Sequence, residues 1–198
     1  MGFCNLTLIV KKYFTAVLLI CVISSSFVLQ SCKKSDDVKP PQGNNSKDFS
    51  WKEKISVADI PDAPIKGFLK GKELKIDCIN FEKWRGSGDN VINFGDKKPS
   101  QNCGYVENDN AVTLMKKAGD IPKGEFVKSS FDANMDSFIA DYHITEKDNM
   151  KKITVPWNCA LFIEEINEEV VKGKIAICFK DEAKSWIAGK FEAIRCSN

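Results

Sequence analysis

Along residues 51–198, apolar and polar positions alternate in short runs, and clusters of glycine, proline, asparagine and aspartate separate the runs. Alternation with a period of two puts one face of a segment against a core and the other in water, which is the signature of a β-strand. The pattern predicts strands over 74–81, 91–94, 111–115, 125–129, 137–145, 153–165, 170–180 and 186–194. Turn chemistry lies between them, as in Gly86-Ser87-Gly88-Asp89-Asn90, Glu107-Asn108-Asp109-Asn110 and Gly119-Asp120-Ile121-Pro122. Turns at this spacing predict an all-β domain, an antiparallel β-sandwich or barrel-like sandwich of about eight strands. The last three strands have short connections, so they are expected to form an up-and-down meander. No long segment repeats every 3.6 residues; a short turn of helix near 131–138 is the most that the pattern allows.

Ahead of residue 51 the pattern changes. Residues 13–23 read YFTAVLLICVI, eleven positions that are apolar apart from Thr15 and preceded by Lys11 and Lys12. A membrane-spanning helix needs about 20 apolar residues, so this run fits a signal-peptide core instead. Leu29, Ser31 and Cys32 resemble the lipobox of bacterial lipoproteins, with Gln30 where a small residue is commoner. That resemblance implies cleavage before Cys32 and lipidation of its thiol, with several acyl chains giving firm anchoring. The following Lys33-Lys34-Ser35-Asp36-Asp37 resembles the surface-export signal of Bacteroidota lipoproteins. It implies attachment to the outer membrane with the domain facing outward; the periplasmic face is the alternative. Residues 33–50 carry prolines, serines and asparagines but only Val38 and Phe49 as apolar residues, a composition that predicts a mobile tether. The organisation is therefore a signal peptide over 1–31, the lipidated cysteine and tether over 32–50, and a β-rich domain over 51–198.

Removing the signal changes the charge. The whole chain has 29 basic and 27 acidic residues; Lys11 and Lys12 leave with the signal, and 27 basic face 27 acidic. A neutral chain without an aromatic-interleaved basic patch argues against nucleic acid as a partner. The domain also holds Cys78, Cys103, Cys159, Cys178 and Cys196, a cysteine usage that suggests an oxidising compartment, with at least one of the five left unpaired. With Glu168-Glu169 at a hairpin tip, positions 159 and 178 face each other, which predicts a Cys159–Cys178 disulfide if the register holds throughout. Cys103 and Cys196 are then expected to close a long loop, leaving Cys78 as a free, buried thiol. One histidine and no C-x-x-C spacing argue against zinc.

Catalytic chemistry finds little support. His143 sits in a strand with Asp141 as its same-face neighbour, and no serine occupies a G-x-S-x-G elbow. Glu164-Glu165, Glu168-Glu169 and Asp181-Glu182 supply carboxylates, but a glycosidase needs two facing each other across a cleft. A hydrolase using these acids stays as an alternative. Asp132, Asn134 and Asp136 form D-x-N-x-D, the alternate oxygen ligands of a calcium loop. Ser137 and His143 stand where an EF-hand needs glycine and glutamate, so calcium is a partial match and no other cofactor is implied. Among the four tryptophans, Trp84 is the candidate for stacking on a ligand, with Arg85, Asp89 and Asn90 beside it in a polar loop. Trp157 and Trp186 are assigned to packing.

Near the C-terminus, Val171-Lys172-Gly173-Lys174 and Gly189-Lys190-Phe191-Glu192-Ala193 resemble the V-x-G and G-x-F-x-A strands that end many small surface lipoproteins of Bacteroidota. The likeness covers about forty residues and the signal, and it implies a β-sandwich. Gly173 and Gly189 are expected to mark bulges or close strand approach. Together these features lead to the expectation of a lipid-anchored envelope lipoprotein, serving as a non-catalytic binding module for an extracellular glycan or protein. The alternative to a ligand-binding module is a structural or immunity lipoprotein that binds a protein partner.

Overall fold

A computed structural model describes residues 49–98 and 108–196. Among these residues the domain is all-β: eleven strands and one 3-10 turn at Val57–Asp59. The strands are β1 (Lys66–Leu69), β2 (Lys72–Leu74), β3 (Cys78–Lys83), β4 (Asn90–Gly95), β5 (Ala111–Lys116) and β6 (Gly124–Lys128). Then follow β7 (Phe138–Glu146), β8 (Asn149–Ile153), β9 (Trp157–Ile166), β10 (Val170–Phe179) and β11 (Trp186–Cys196). Their order is β6-β9-β10-β11-β3-β4-β5-β7-β8, with the β1–β2 hairpin attached to β11. Every pairing is antiparallel except β11 with β3. One edge of β11 is shared, by β1 along 186–188 and by β3 along 194–196. The expected C-terminal meander is present as β9-β10-β11.

The sheet curls so that its two halves enclose one core. Ile92, Phe94, Val112, Leu114 and Tyr142 from β4, β5 and β7 meet Leu161, Ile163, Ile175 and Ile177 from β9 and β10. Phe94 meets Phe191 edge-on at 5.5 Å, and Tyr142 meets Phe179 at 4.9 Å. A second, smaller core lies on the outer face of β9–β11. There Ala160, Ala176, Cys178 and Ala188 present small side chains, and Phe49, Trp51, Ile55, Ile60 and Phe131 pack over them. Burial on both faces explains why 175–179 reads as a continuous apolar run rather than an alternating one. The covering segment is pinned by polar contacts too. The Trp51 indole N–H donates to the Phe179 carbonyl at 2.8 Å, and the Asn158 amide donates to the carbonyls of Lys52 and Glu53 at 3.0 and 2.9 Å. Phe49, placed in the tether by composition, belongs to the folded domain, its ring 5.1 Å from that of Trp186.

The strands differ from expectation in four places, the first being the span 74–81, where Leu74 ends β2 and Cys78 opens β3. β1 and β2 form a hairpin around Lys70-Gly71, both in the left-handed region, and the span 153–165 is two elements divided at Pro156. β8 is an exposed edge strand carrying Lys151 and Lys152, so no apolar alternation marks it. Residues 131–137 form turns with no helix, and Phe138 begins β7.

The expected Cys159–Cys178 disulfide does not form; both are free, buried thiols. Near the tip the pairing is as the turn demands, with Val171 opposite Ile166 and Lys172 opposite Glu165. Between Lys172 and Gly173 the register shifts, and Gly173 faces Ile163, leaving Glu164 as the extra residue of a β-bulge. Beyond it Cys159 faces Ile177 and Cys178 faces Asn158. A one-residue slip moves a side chain to the other face, so Cys159 enters the main core and Cys178 the outer one. Burial pushes both thiols up, Cys178 to about 11.

Candidate functional site at the tip of the third and fourth strands

β3 and β4 pair in register from Cys78–Gly95 to Lys83–Asn90, leaving 84–89 as the connecting loop. The loop closes on itself. The Trp84 N–H donates to the Asp89 carbonyl at 2.9 Å, and the Gly88 N–H donates to the Trp84 carbonyl at 2.8 Å. Gly88 adopts φ +71, a conformation that glycine takes without steric cost.

The loop is then fastened to the one that follows β5. The Asp89 carboxylate accepts the Ala118 N–H at 3.0 Å, the Asn90 amide donates to the Gly119 carbonyl at 2.6 Å, and the Gly119 N–H donates to the Gly88 carbonyl at 3.2 Å. The Lys83 ammonium reaches Asp120 at 2.8 Å. The Ala118 N–H, the Ser87 hydroxyl and the charge of Lys117 hold the Asp89 carboxyl below the usual carboxylate range. Asn90 is buried. Of the four residues singled out here, Asp89 and Asn90 therefore serve as internal fasteners. Trp84 and Arg85 remain on the outside, Trp84 with 43% of its surface exposed.

The other candidate residues do not assemble into a reactive group. The His143 ring lies 3.1 Å from the Asn108 carbonyl, and Asp141 is ion-paired with Lys152 at 2.8 Å. Glu165 and Glu192 flank Lys172, while Glu168 and Glu169 form the β9–β10 turn. Asp181 accepts hydrogen bonds from the Tyr142 hydroxyl at 2.5 Å and from the Ser185 N–H and hydroxyl at 2.8 and 2.6 Å. Burial opposes its ionisation, but those bonds and the charge of Lys70 outweigh it and lower its pKa. Ser185 is fully buried and also accepts the Lys70 N–H at 2.9 Å, so its hydroxyl is a structural bracket. Asp132, Asn134 and Asp136 are exposed on the turn after β6, where the Asn134 amide donates to Asp136. The Lys128 ammonium occupies the inner side of this turn, 3.1 and 2.7 Å from the Ser130 and Phe131 carbonyls. Among the described residues no group of three or more His, Cys, Asp or Glu side chains is arranged to hold a metal ion.

Cys78 is a buried free thiol whose sulfur lies 3.0 Å from the Asn80 side-chain oxygen. Cys196 is disulfide-bonded and so is not among the free thiols. Cys103 and Cys32 both lie outside the described residues.

Sequence reasoning missed a cleft of about 200 Å³ beside the β1–β2 hairpin, bordered by Lys70, Lys72, Asp96, Asn110 and Glu146. The Lys70-Gly71 pair between two short alternating stretches, 65–69 and 72–76, was the available signal for that hairpin. Asp96 is already committed, accepting the backbone N–H groups of Asp109 and Asn110 at 3.0 Å each. No family model matches the chain, and no curated protein or solved structure shows significant similarity to it.

Proposed function

We propose that the chain is an envelope lipoprotein, anchored in the outer membrane through acyl chains on Cys32. Its β domain acts as a non-catalytic binding module at the cell surface, contacting an extracellular glycan or protein through the β3–β4 tip. The observation that carries this reading is Trp84, 43% exposed on a loop whose Asp89 and Asn90 side chains fasten it to the loop after β5. An exposed indole costs solvation unless something covers it, and a loop already held in place loses little entropy on binding. The commitment of Ser185, Asp181 and Asp141 to internal bonds supports binding over hydrolysis. The signal run, lipobox and acidic Asp36-Asp37 support the anchor and outward display.

Two measurements on producing cells test the reading. The mature chain is expected to carry a mass increment for acylation that Cys32→Ala abolishes, and protease added to intact cells is expected to digest the domain. Protection until lysis sinks surface display, and an unacylated mature chain sinks the anchor. For the binding role, wild-type protein is expected to retain partners on glycan and protein arrays that Trp84→Ala loses. Indistinguishable profiles for the two proteins refute the tip as the contact.

A further inference from the structure

The charge around Trp84 is uneven. Arg85 follows it in the loop, Lys83 precedes it, and Lys116 and Lys117 lie at the end of β5, whose Lys116 pairs with Asn90. The carboxylates in the same two loops, Asp89 and Asp120, are both engaged: Asp89 by the Ala118 N–H and Asp120 by the Lys83 ammonium. Lys117 also acts electrostatically on Asp89, and Arg195 on Asp120, which places both cations close to this end of the domain. The tip thus presents a partly exposed indole followed in the chain by an exposed arginine, while Asp89 and Asp120 are engaged by the Ala118 N–H and the Lys83 ammonium.

We propose that the tip binds an acidic glycan, a saccharide bearing carboxylate or sulfate groups. This rests on the reading of the tip as a binding surface and adds the ligand class. The apolar C–H face of a sugar ring covers the indole, whose body is hydrophobic and whose edge stays wet. The planar guanidinium of Arg85 matches a carboxylate or sulfate with paired N–H donors, a geometry that a lysine cannot offer. Lys116 and Lys117 add a salt-sensitive attraction that draws the polyanion to the loops. Fastening of the two loops fixes the backbone that carries the aromatic and cationic side chains, so recognition needs no folding step.

The test uses the full mature protein in nonionic detergent with four probes: polygalacturonate, heparin, uncharged dextran and a single-stranded oligonucleotide. Affinity electrophoresis is expected to show retardation by polygalacturonate or heparin and none by dextran. Trp84→Ala and Arg85→Ala are each expected to weaken binding by roughly thirtyfold, the size of a single hot-spot contact. Raising the salt is expected to weaken wild-type binding in the same gels. Lys70→Ala with Lys72→Ala, which removes equal or greater charge beside the β1–β2 turn, is expected to leave it within about twofold if the site is local. Equal retardation by dextran overturns the acidic preference while leaving the tip as a glycan-binding surface. Oligonucleotide binding as strong as heparin, or equal loss in the Lys70/Lys72 variant, reduces the effect to bare charge and overturns the proposal. Absence of retardation by any saccharide overturns both this inference and the glycan form of the binding reading.

Discussion

Gly173→Ala and Gly86→Ala are the same chemical change at two places where the fold predicts opposite outcomes. A methyl group built on Gly173 meets the Phe162 carbonyl oxygen at 2.3 Å, the Phe191 ring at 3.2 Å and the Ile163 Cα at 3.3 Å. The first contact is about 1 Å inside ordinary van der Waals separation, and it is made with backbone. That backbone belongs to β9, which is bonded on its other side to β6, so it cannot retreat without disturbing two ladders. Overpacking in such a site costs about 1–3 kcal/mol. Lower chain entropy in the unfolded state returns roughly 0.4–1 kcal/mol of this. A net loss of about 1.3 kcal/mol lowers the urea midpoint by roughly 0.7 M, taking a urea slope of about 2 kcal/mol/M. At Gly86 no atom lies within 4 Å of the added methyl, and the residue is not in the left-handed region. Gly86→Ala is therefore expected to hold or slightly raise the midpoint. Urea titration followed by tryptophan fluorescence, with far-UV dichroism as a second probe, measures both. Equal midpoints for the two variants refute the argument that the bulge brings β9 backbone onto Gly173. A Phe191→Leu background sharpens the result: it relieves the ring contact and leaves the carbonyl clash, so most of the loss is expected to persist.

Thiol chemistry distinguishes the two faces of β9 and β10: in native protein Cys78, Cys159 and Cys178 are expected to resist alkylation and to react together on unfolding, and a mass showing Cys159 joined to Cys178 contradicts the register. Tyr142→Phe removes the hydroxyl that donates to Asp181 and is expected to cost about 1.5–3 kcal/mol, the range for a hydrogen bond to a charged group; an unchanged denaturation midpoint refutes that bond's contribution. Asp181 has a folded pKa below its ordinary value, so its contribution is full above about pH 4 and fades as acid protonates it. Asp181→Asn is accordingly expected to flatten the decline of stability between about pH 4 and 2, and a decline as steep as wild type argues against the assignment. Trp84→Ala is expected to cost clearly less stability than Phe94→Ala, because 43% of Trp84 is exposed whereas Phe94 is fully buried and its loss costs about 3–5 kcal/mol; thermal melts compare them directly.

Alternation and turn residues alone identified the β class, the final meander and the Glu168-Glu169 tip, because side-chain period and turn chemistry are properties of adjacent residues. The free state of Cys159 and Cys178 was hidden, since it depends on a bulge at Glu164 that no local pattern announces. β8 escaped notice because it is held by ladder bonds to β7 and buries little of its own surface. The small residues at 160, 176 and 188 make sense only once 49–60 lies across them. Trp84 and Arg85 were visible as a polar-loop aromatic and its cation, yet Asp89 and Asn90 looked equally available. What separates them is a partner 29 residues away in the chain, the loop at Ala118 and Gly119. A local pattern records what each residue prefers; which polar groups are spent inside the protein is decided when distant backbone donors and acceptors are brought together and must be satisfied there.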